Sequence, residues 1–145
     1  MAKQFGGDWV SVEIKGIEQV QKMLKLLPER VQRKAMKQGV AAGARKVLSE
    51  ARKLVPVKTG RLKKSLRTRY IKKASRGPFG RIVYKVEAAR PEGSHAHLVE
   101  FGTSRAAAKP FLRPAFEIAK EPAANAIMDK IAKVMLKEAR KLGGG

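Results

Sequence analysis

Cysteine is absent from this 145-residue chain. That absence removes disulfides, thiolate nucleophiles and cysteine-based zinc sites together, and it fits a reducing cytosol. Aromatic residues are scarce, with one Trp, two Tyr and five Phe, a thin supply for a protein that would stack successive bases of a single strand. Acidic residues number only 12, and they are too scattered to assemble the carboxylate cluster that a metal-dependent nuclease needs. Long apolar runs are also missing. Charges interrupt every stretch that approaches membrane-spanning length, and Met1 to Asp8 holds no apolar signal core. A soluble, intracellular product with no membrane partner is the expectation.

What is present is positive charge. Lys and Arg total 33, for a formal net charge of +21. Between Pro28 and Arg76 lie 17 basic residues against only Glu29 and Glu50, a local balance of +15. Such a field must meet something negative, whether nucleic acid, an anionic membrane or the acidic surface of a protein, and charge alone does not choose between them. The hydrophobic fraction of 43% is that of a globular chain, and about 150 residues suffice for a single domain with a core of its own. One domain over residues 1–145 is expected, with mobile ends at about 1–7 and 143–145.

Periodicity supplies the elements. Trp9 to Lys15 alternates as a strand, with Val10, Val12 and Ile14 on one face. Ile17 to Leu27 reads as a short amphipathic helix that Pro28 ends, and Glu29 to about Val55 as a long one. Its apolar stripe is Val40, Ala44, Val47, Leu48, Ala51, Leu54 and Val55, and Gly39 and Gly43 inside it imply close packing. Thr59 is placed to cap a short helix reaching Leu66. Thr68–Ser75 and Arg81–Ala88 read as an antiparallel hairpin around the turn-rich Arg76–Gly80. Ala96–Phe101 reads as a short strand ending at Gly102, and Arg113 to about Leu142 as a helix that Pro122 should kink or divide. The expected fold class is α+β, a small antiparallel sheet packed by two long helices plus short helices.

The chain offers little catalytic chemistry. His95 and His97 would share a strand face as a metal pair must, but no third ligand accompanies them. Glu87 and Glu100 lack a nucleophile or phosphate loop beside them, so a salt bridge to an arginine is the expected role. The glycines fail the spacing of dinucleotide motifs. No cofactor, no metal and no enzymatic activity are expected.

Three segments in order carry a resemblance: Val55-Pro56-Val57-Lys58-Thr59-Gly60-Arg61-Leu62-Lys63-Lys64-Ser65-Leu66, then His97-Leu98-Val99-Glu100-Phe101-Gly102-Thr103, then Lys109-Pro110-Phe111-Leu112-Arg113-Pro114-Ala115-Phe116. Together they resemble the "gene product ten-like" proteins of long-tailed phages, grouped with the tail-completion protein Z of phage lambda. That resemblance implies a virion component of the neck, added as head and tail are completed, in a homo-oligomeric and hexameric ring matched to the tail tube. Its implied partners are tail terminator, tail tube, and head-closure or adaptor proteins.

On the residues themselves, Arg33, Lys37, Arg45 and Arg52 on the long helix and Lys58, Arg61, Lys63, Lys64 and Arg67 after it form the expected partner-binding face. The loops carrying Arg76, Arg81, Arg105 and Lys109 are expected to order on assembly. Thr59 and Gly60 make a turn between helices. Glu100, Phe101 and Gly102 end a strand with a buried ring, and Pro110, Phe111 and Pro114 anchor the last helix. The alternative function is sequence-independent binding of genomic DNA, with Tyr70, Phe79 and Tyr84 among the basic strands as its aromatic contacts.

Overall fold

A computed structural model describes residues 17–57, 60–72, 82–91, 93 and 95–143. Within them the chain runs α1 (Ile17–Leu24), α2 (Glu29–Leu54), α3 (Arg61–Ser65), β1 (Leu66–Tyr70), β2 (Tyr84–Ala88), α4 (Ala96–Phe101) and α5 (Leu112–Gly143). The fold is α+β: one antiparallel pair of strands packed by two long helices and three short ones. The strand expected over Trp9–Lys15 lies outside the described residues, as do Lys58, Thr59, Arg76, Phe79 and Arg81. Gly143, expected in a mobile tail, is the last helical residue of α5.

Helices α2 and α5 form the frame. They run antiparallel, because Gly39 faces Ile131 while Gly43, one turn on, faces Ile127. The α2 side of this contact is a row at four-residue spacing, Ala35, Gly39, Gly43, Val47 and Ala51, all buried. The α5 side is Ala115, Ala119, Ala123, Ile127 and Ile131. Small side chains let the two axes approach until the glycines touch the opposite helix. A Cβ on Gly39 would lie 2.6 Å from Ile131 Cγ1, and one on Gly43 would lie 2.6 Å from Ile127 Cγ1. The close packing expected at these glycines is therefore present, but the expected stripe is corrected. Val40 and Ala44 are only half-buried and Leu54 is exposed, because the row follows the small residues instead.

At one end of the frame α1 closes the core. Leu24 packs with Ala35, Ile131, Val134 and Met135. Helix α1 stops at Leu24, three residues short of the expected Leu27, and Pro28 then takes the N-cap position of α2, accepting the Val31 and Gln32 amides. At the other end Leu48, Ala51, Val55, Leu62, Leu66, Phe111 and Ala115 form the main core, with Val86, Val99 and Leu112 against it. Phe111 and Leu66 are its largest fully buried side chains, each worth roughly 2–3 kcal/mol of burial.

The hairpin pairs Leu66 with Ala88, Thr68 with Val86 and Tyr70 with Tyr84. β1 begins two residues before its expected start, directly from α3. Leu66, Thr68 and Tyr70 are the less exposed residues of β1, and Arg67 and Arg69 the exposed ones, the period-two pattern of a strand with one face on the core.

One further expectation is overturned. Ala96–Phe101 is a helix, not a strand. Helical spacing brings Ala96, Val99 and Glu100 inward together, whereas a strand would send Val99 and Glu100 to opposite faces. Of the two effects expected of Pro122, division is absent: α5 runs through it as one helix. It is exposed, and the carbonyl its missing N–H would have bonded lies one turn earlier at Ile118, itself exposed, so solvent can satisfy that group.

Candidate docking surface and the clasp behind it

Basic residues on three elements converge on one groove. Arg45, Arg52 and Lys53 project from α2, Lys63 from α3 and Arg67 from β1 around a cleft of about 540 Å³ whose floor includes Leu48. The local sequence places them there. Arg45, Ser49 and Lys53 are a row at four-residue spacing on α2, about 200° round the helix from the Gly43–Val47–Ala51 row that packs on α5. Gly60 takes the N-cap of α3 in the left-handed region (φ 79), turning the chain back so that Lys63 faces α2. The N-cap position thus belongs to Gly60, which has no capping side chain.

Not every cation of the groove is free to meet a partner. Arg52 Nη2 donates to the Leu66 carbonyl at 3.1 Å, tying α2 to the α3–β1 junction. Arg67 pairs with Glu87 across the hairpin at 3.1 Å, and Arg69 and Lys85 crowd the same carboxylate at 3.0 and 3.7 Å. Lys53 pairs with Glu50 at 3.0 Å with both groups partly in solvent, a contact of little energy. Arg45 and Lys63 are exposed. Arg61 and Lys64 are exposed on α3, beside the groove but not among its lining.

Arg33 and Lys37 are placed apart from the groove and engage Tyr70. Arg33 Nη2 donates to the Tyr70 hydroxyl at 3.0 Å and Lys37 Nζ lies 4.2 Å from the ring centroid. Tyr70 in turn packs on Tyr84, centroids 5.3 Å apart. Burial, helped by the neighbouring Tyr70, pushes the Tyr84 hydroxyl above its ordinary pKa. Both rings are half-buried parts of the sheet–helix contact, so they do not form an open stacking platform.

The second and third sequence motifs meet behind this surface. Glu100 is 3% exposed and its carboxylate caps α5. Oε2 accepts the amides of Phe111 at 2.7 Å and Leu112 at 2.9 Å, while Oε1 accepts the amide and the Nε of Arg113 at 3.1 and 3.2 Å. Pro114, which follows, has no amide to satisfy. Burial pushes the Glu100 pKa up, but the Leu112, Phe111 and Arg113 amides and the Arg113 side chain outweigh it and hold the carboxyl below its ordinary value. The salt bridge expected for Glu100 is present, with backbone capping added to it.

The ring expected to be buried at Phe101 is 52% exposed and sits under the Arg113 guanidinium at 5.2 Å. The buried ring of the motifs is Phe111, at 0%. Gly102 needs its glycine: φ is +77, and a Cβ would lie 2.7 Å from the Ala108 amide nitrogen. The 103–109 loop, expected to be free, is pinned at both ends. Thr103 N donates to Ala106 O at 2.8 Å, its hydroxyl accepts the Arg105 and Ala106 amides, and Lys109 N donates to Val99 O at 2.8 Å. The side chains of Arg105 and Lys109, and the ring of Pro110, remain exposed.

The signal that sequence reasoning missed is a negative one. Lys109-Pro110-Phe111 precedes a 32-residue helix with no Ser, Thr, Asp or Asn at its start, so an acceptor from elsewhere was required. Chemically the groove can bind carboxylates or phosphates. Among the described residues no group of three or more His, Asp or Glu side chains is placed to hold a metal, and no helix is long and apolar enough to cross a membrane.

Comparison with known proteins gives no match among curated sequences and none among solved structures. Comparison with protein families does match: residues 18–102, from α1 through the hairpin to the end of α4, fit the HK97-gp10-like family, described as a bacteriophage HK97-gp10 tail component. The match covers well over half of the chain and contains every groove-lining residue, and on that ground the chain belongs to the HK97-gp10-like family of phage tail components.

Proposed function

We propose that this chain is a structural protein of the virion that acts where head and tail meet, in tail completion or neck assembly, and that it has no catalytic role. It works by docking: the basic groove of α2, α3 and β1 receives acidic surface from neighbouring tail-terminator, tail-tube or head-closure proteins. A homo-oligomeric ring, hexameric to match the tail tube, is the assembly this reading implies. The observation that carries it is the convergence of Arg45, Arg52, Lys53, Lys63 and Arg67 from three separate elements on one cleft, a charge density that exceeds what solubility alone requires. Exposed Arg61 and Lys64 extend the positive rim.

The test is charge reversal at positions that do not hold the fold together. Arg52 and Arg67 are left intact because they anchor the Leu66 carbonyl and Glu87. Arg45→Glu with Lys63→Glu is expected to keep its circular dichroism spectrum and to leave filled heads and tails unjoined. Normal yields of infectious particles would reject the groove as the docking surface. A duplex-binding assay run alongside separates the DNA alternative, which requires wild-type affinity to fall linearly in log–log form with salt, steeply enough to report several phosphate contacts.

A further inference from the structure

The groove's counterpart lies on the same chain. Helix α5 packs on α2 through Ala115, Ala119, Ala123 and Ile131. Two residues further along, about 200° round the helix, runs an outward ridge at the same four-residue spacing: Glu117, Glu121, Asn125 and Asp129, all exposed. Lys133, Lys137 and Lys141 continue that ridge, also exposed. The outer face of α5 is thus divided by charge, acidic over its first half and basic over its second. From Pro114 to Asp129 three acids stand against Lys120 alone, a local balance of −2 in a chain of +21.

The acidic half lies beside the end of α2 that carries the groove, because the helices run antiparallel. It faces the opposite way, since the groove row Arg45–Ser49–Lys53 is likewise turned about 200° from the α2–α5 contact. Acidic ridge and basic groove therefore occupy opposite sides of one end of the molecule. Both are rows at four-residue spacing, and the charges of Arg45 and Lys53 on one, like those of Glu121 and Asp129 on the other, stand eight residues or ~12 Å apart along a helix. We infer that the groove receives the Glu117–Asp129 ridge of a second copy, in a head-to-tail contact that leaves a pair of copies with one free ridge and one free groove between them. Contacts of this class close into rings or run on as filaments, according to the rotation between copies. The inference rests on the reading of the groove as a docking surface and puts a second copy of this chain, in place of a neighbouring tail or head-closure protein, as its occupant. Little has to be given up on the acidic side: among the described residues Glu117 is held by Lys120 at 3.1 Å, with both side chains about half or more in solvent.

Two neutralised variants of the full chain test this. One carries Glu117→Gln, Glu121→Gln and Asp129→Asn; the other Arg45→Gln, Lys53→Gln and Lys63→Gln. Sedimentation is measured at about 0.15 M salt, where repulsion between the basic chains beyond roughly 8 Å is screened. Wild type is expected to form oligomers that grow with concentration, and each variant to lose about tenfold or more in association. An equimolar mixture is expected to stop at a one-to-one dimer, because each pair retains a single intact ridge and a single intact groove. A wild type that stays monomeric to about 1 mM, variants that associate like wild type, or a mixture that stays monomeric would each overturn the inference. If the groove variant fails to join heads to tails while wild type is monomeric, the acidic surface belongs to another protein. The docking reading then stands and the self-contact falls.

Discussion

Glu100 tests the architecture through one carboxylate. Its two oxygens accept four hydrogen bonds, three of them from backbone amides at the start of α5. In Glu100→Gln one oxygen becomes an NH2 group, which cannot accept. The better arrangement keeps the carbonyl on the buried Phe111 amide and on Leu112, and turns the NH2 toward Arg113, where two donors then face a third. Two charge-assisted bonds weaken by about 1 kcal/mol each and the Arg113 amide loses its acceptor at about 1 kcal/mol more, for a total of ~3 kcal/mol. The Arg113 side chain is 47% exposed, so its ion pair adds little. For a domain of this size that corresponds to a fall of about 10 °C in Tm.

The effect is also tied to pH. The folded-state pKa of Glu100 lies below its ordinary value, so in the window between the two the unfolded chain binds more protons than the folded one, and stability rises with pH there. The contribution is complete above the unfolded pKa of about 4.3 and is lost as pH falls through the folded value. Urea titrations followed by circular dichroism, at about pH 7 and in steps to about pH 3, should therefore show a gap between wild type and Glu100→Gln that narrows on acidification. A gap below about 0.5 kcal/mol at neutral pH, or one that stays constant down to about pH 3, would refute the capping role.

Two further changes probe the close approaches. Gly43→Val should destabilise by ~2 kcal/mol or more in the same denaturation assay, because its Cβ meets Ile127 Cγ1 at 2.6 Å and the Ala123 carbonyl at 3.2 Å, an overpacking cost larger than the helix propensity gained. Gly102→Ala should cost ~2–4 kcal/mol, combining a left-handed φ with a clash against the Ala108 backbone, which has no rotamer to yield; a stability equal to wild type in thermal melts would count against this turn geometry.

Much of the fold was legible because periodicity is strongest over long elements. The 26 residues of α2 and the 32 of α5 left room for a helical pattern to repeat, and the alternation of Ile82, Tyr84 and Val86 against Val83, Lys85 and Glu87 marked β2. Helix α4 was not legible. Six residues, Ala-His-Leu-Val-Glu-Phe, are too few to separate a strand from a helix by period, and the deciding contact, Glu100 on the amides of Phe111 to Arg113, spans eleven to thirteen residues of sequence. The row on α2 was misplaced for a related reason. Hydrophobicity favours Val40 and Ala44, while close packing of two helices selects the small residues at 35, 39 and 43. For the candidate surface, the basic residues stood out by charge. That Arg45 and Lys63 share a cleft while Arg33 and Lys37 clasp Tyr70 depends on where the hairpin lies against α2, which a charge count does not contain.

The α2–α5 contact also separates two boundaries that are easily taken for one. Family likeness ends at residue 102, whereas the folding unit does not, since Ala35, Gly39, Gly43, Val47 and Ala51 find their cover on a helix that begins at Leu112. A fragment cut where the likeness stops would carry that row into water as a strip of bare apolar surface along α2. The smallest piece of this chain that can stand alone therefore includes the helix that the family description omits.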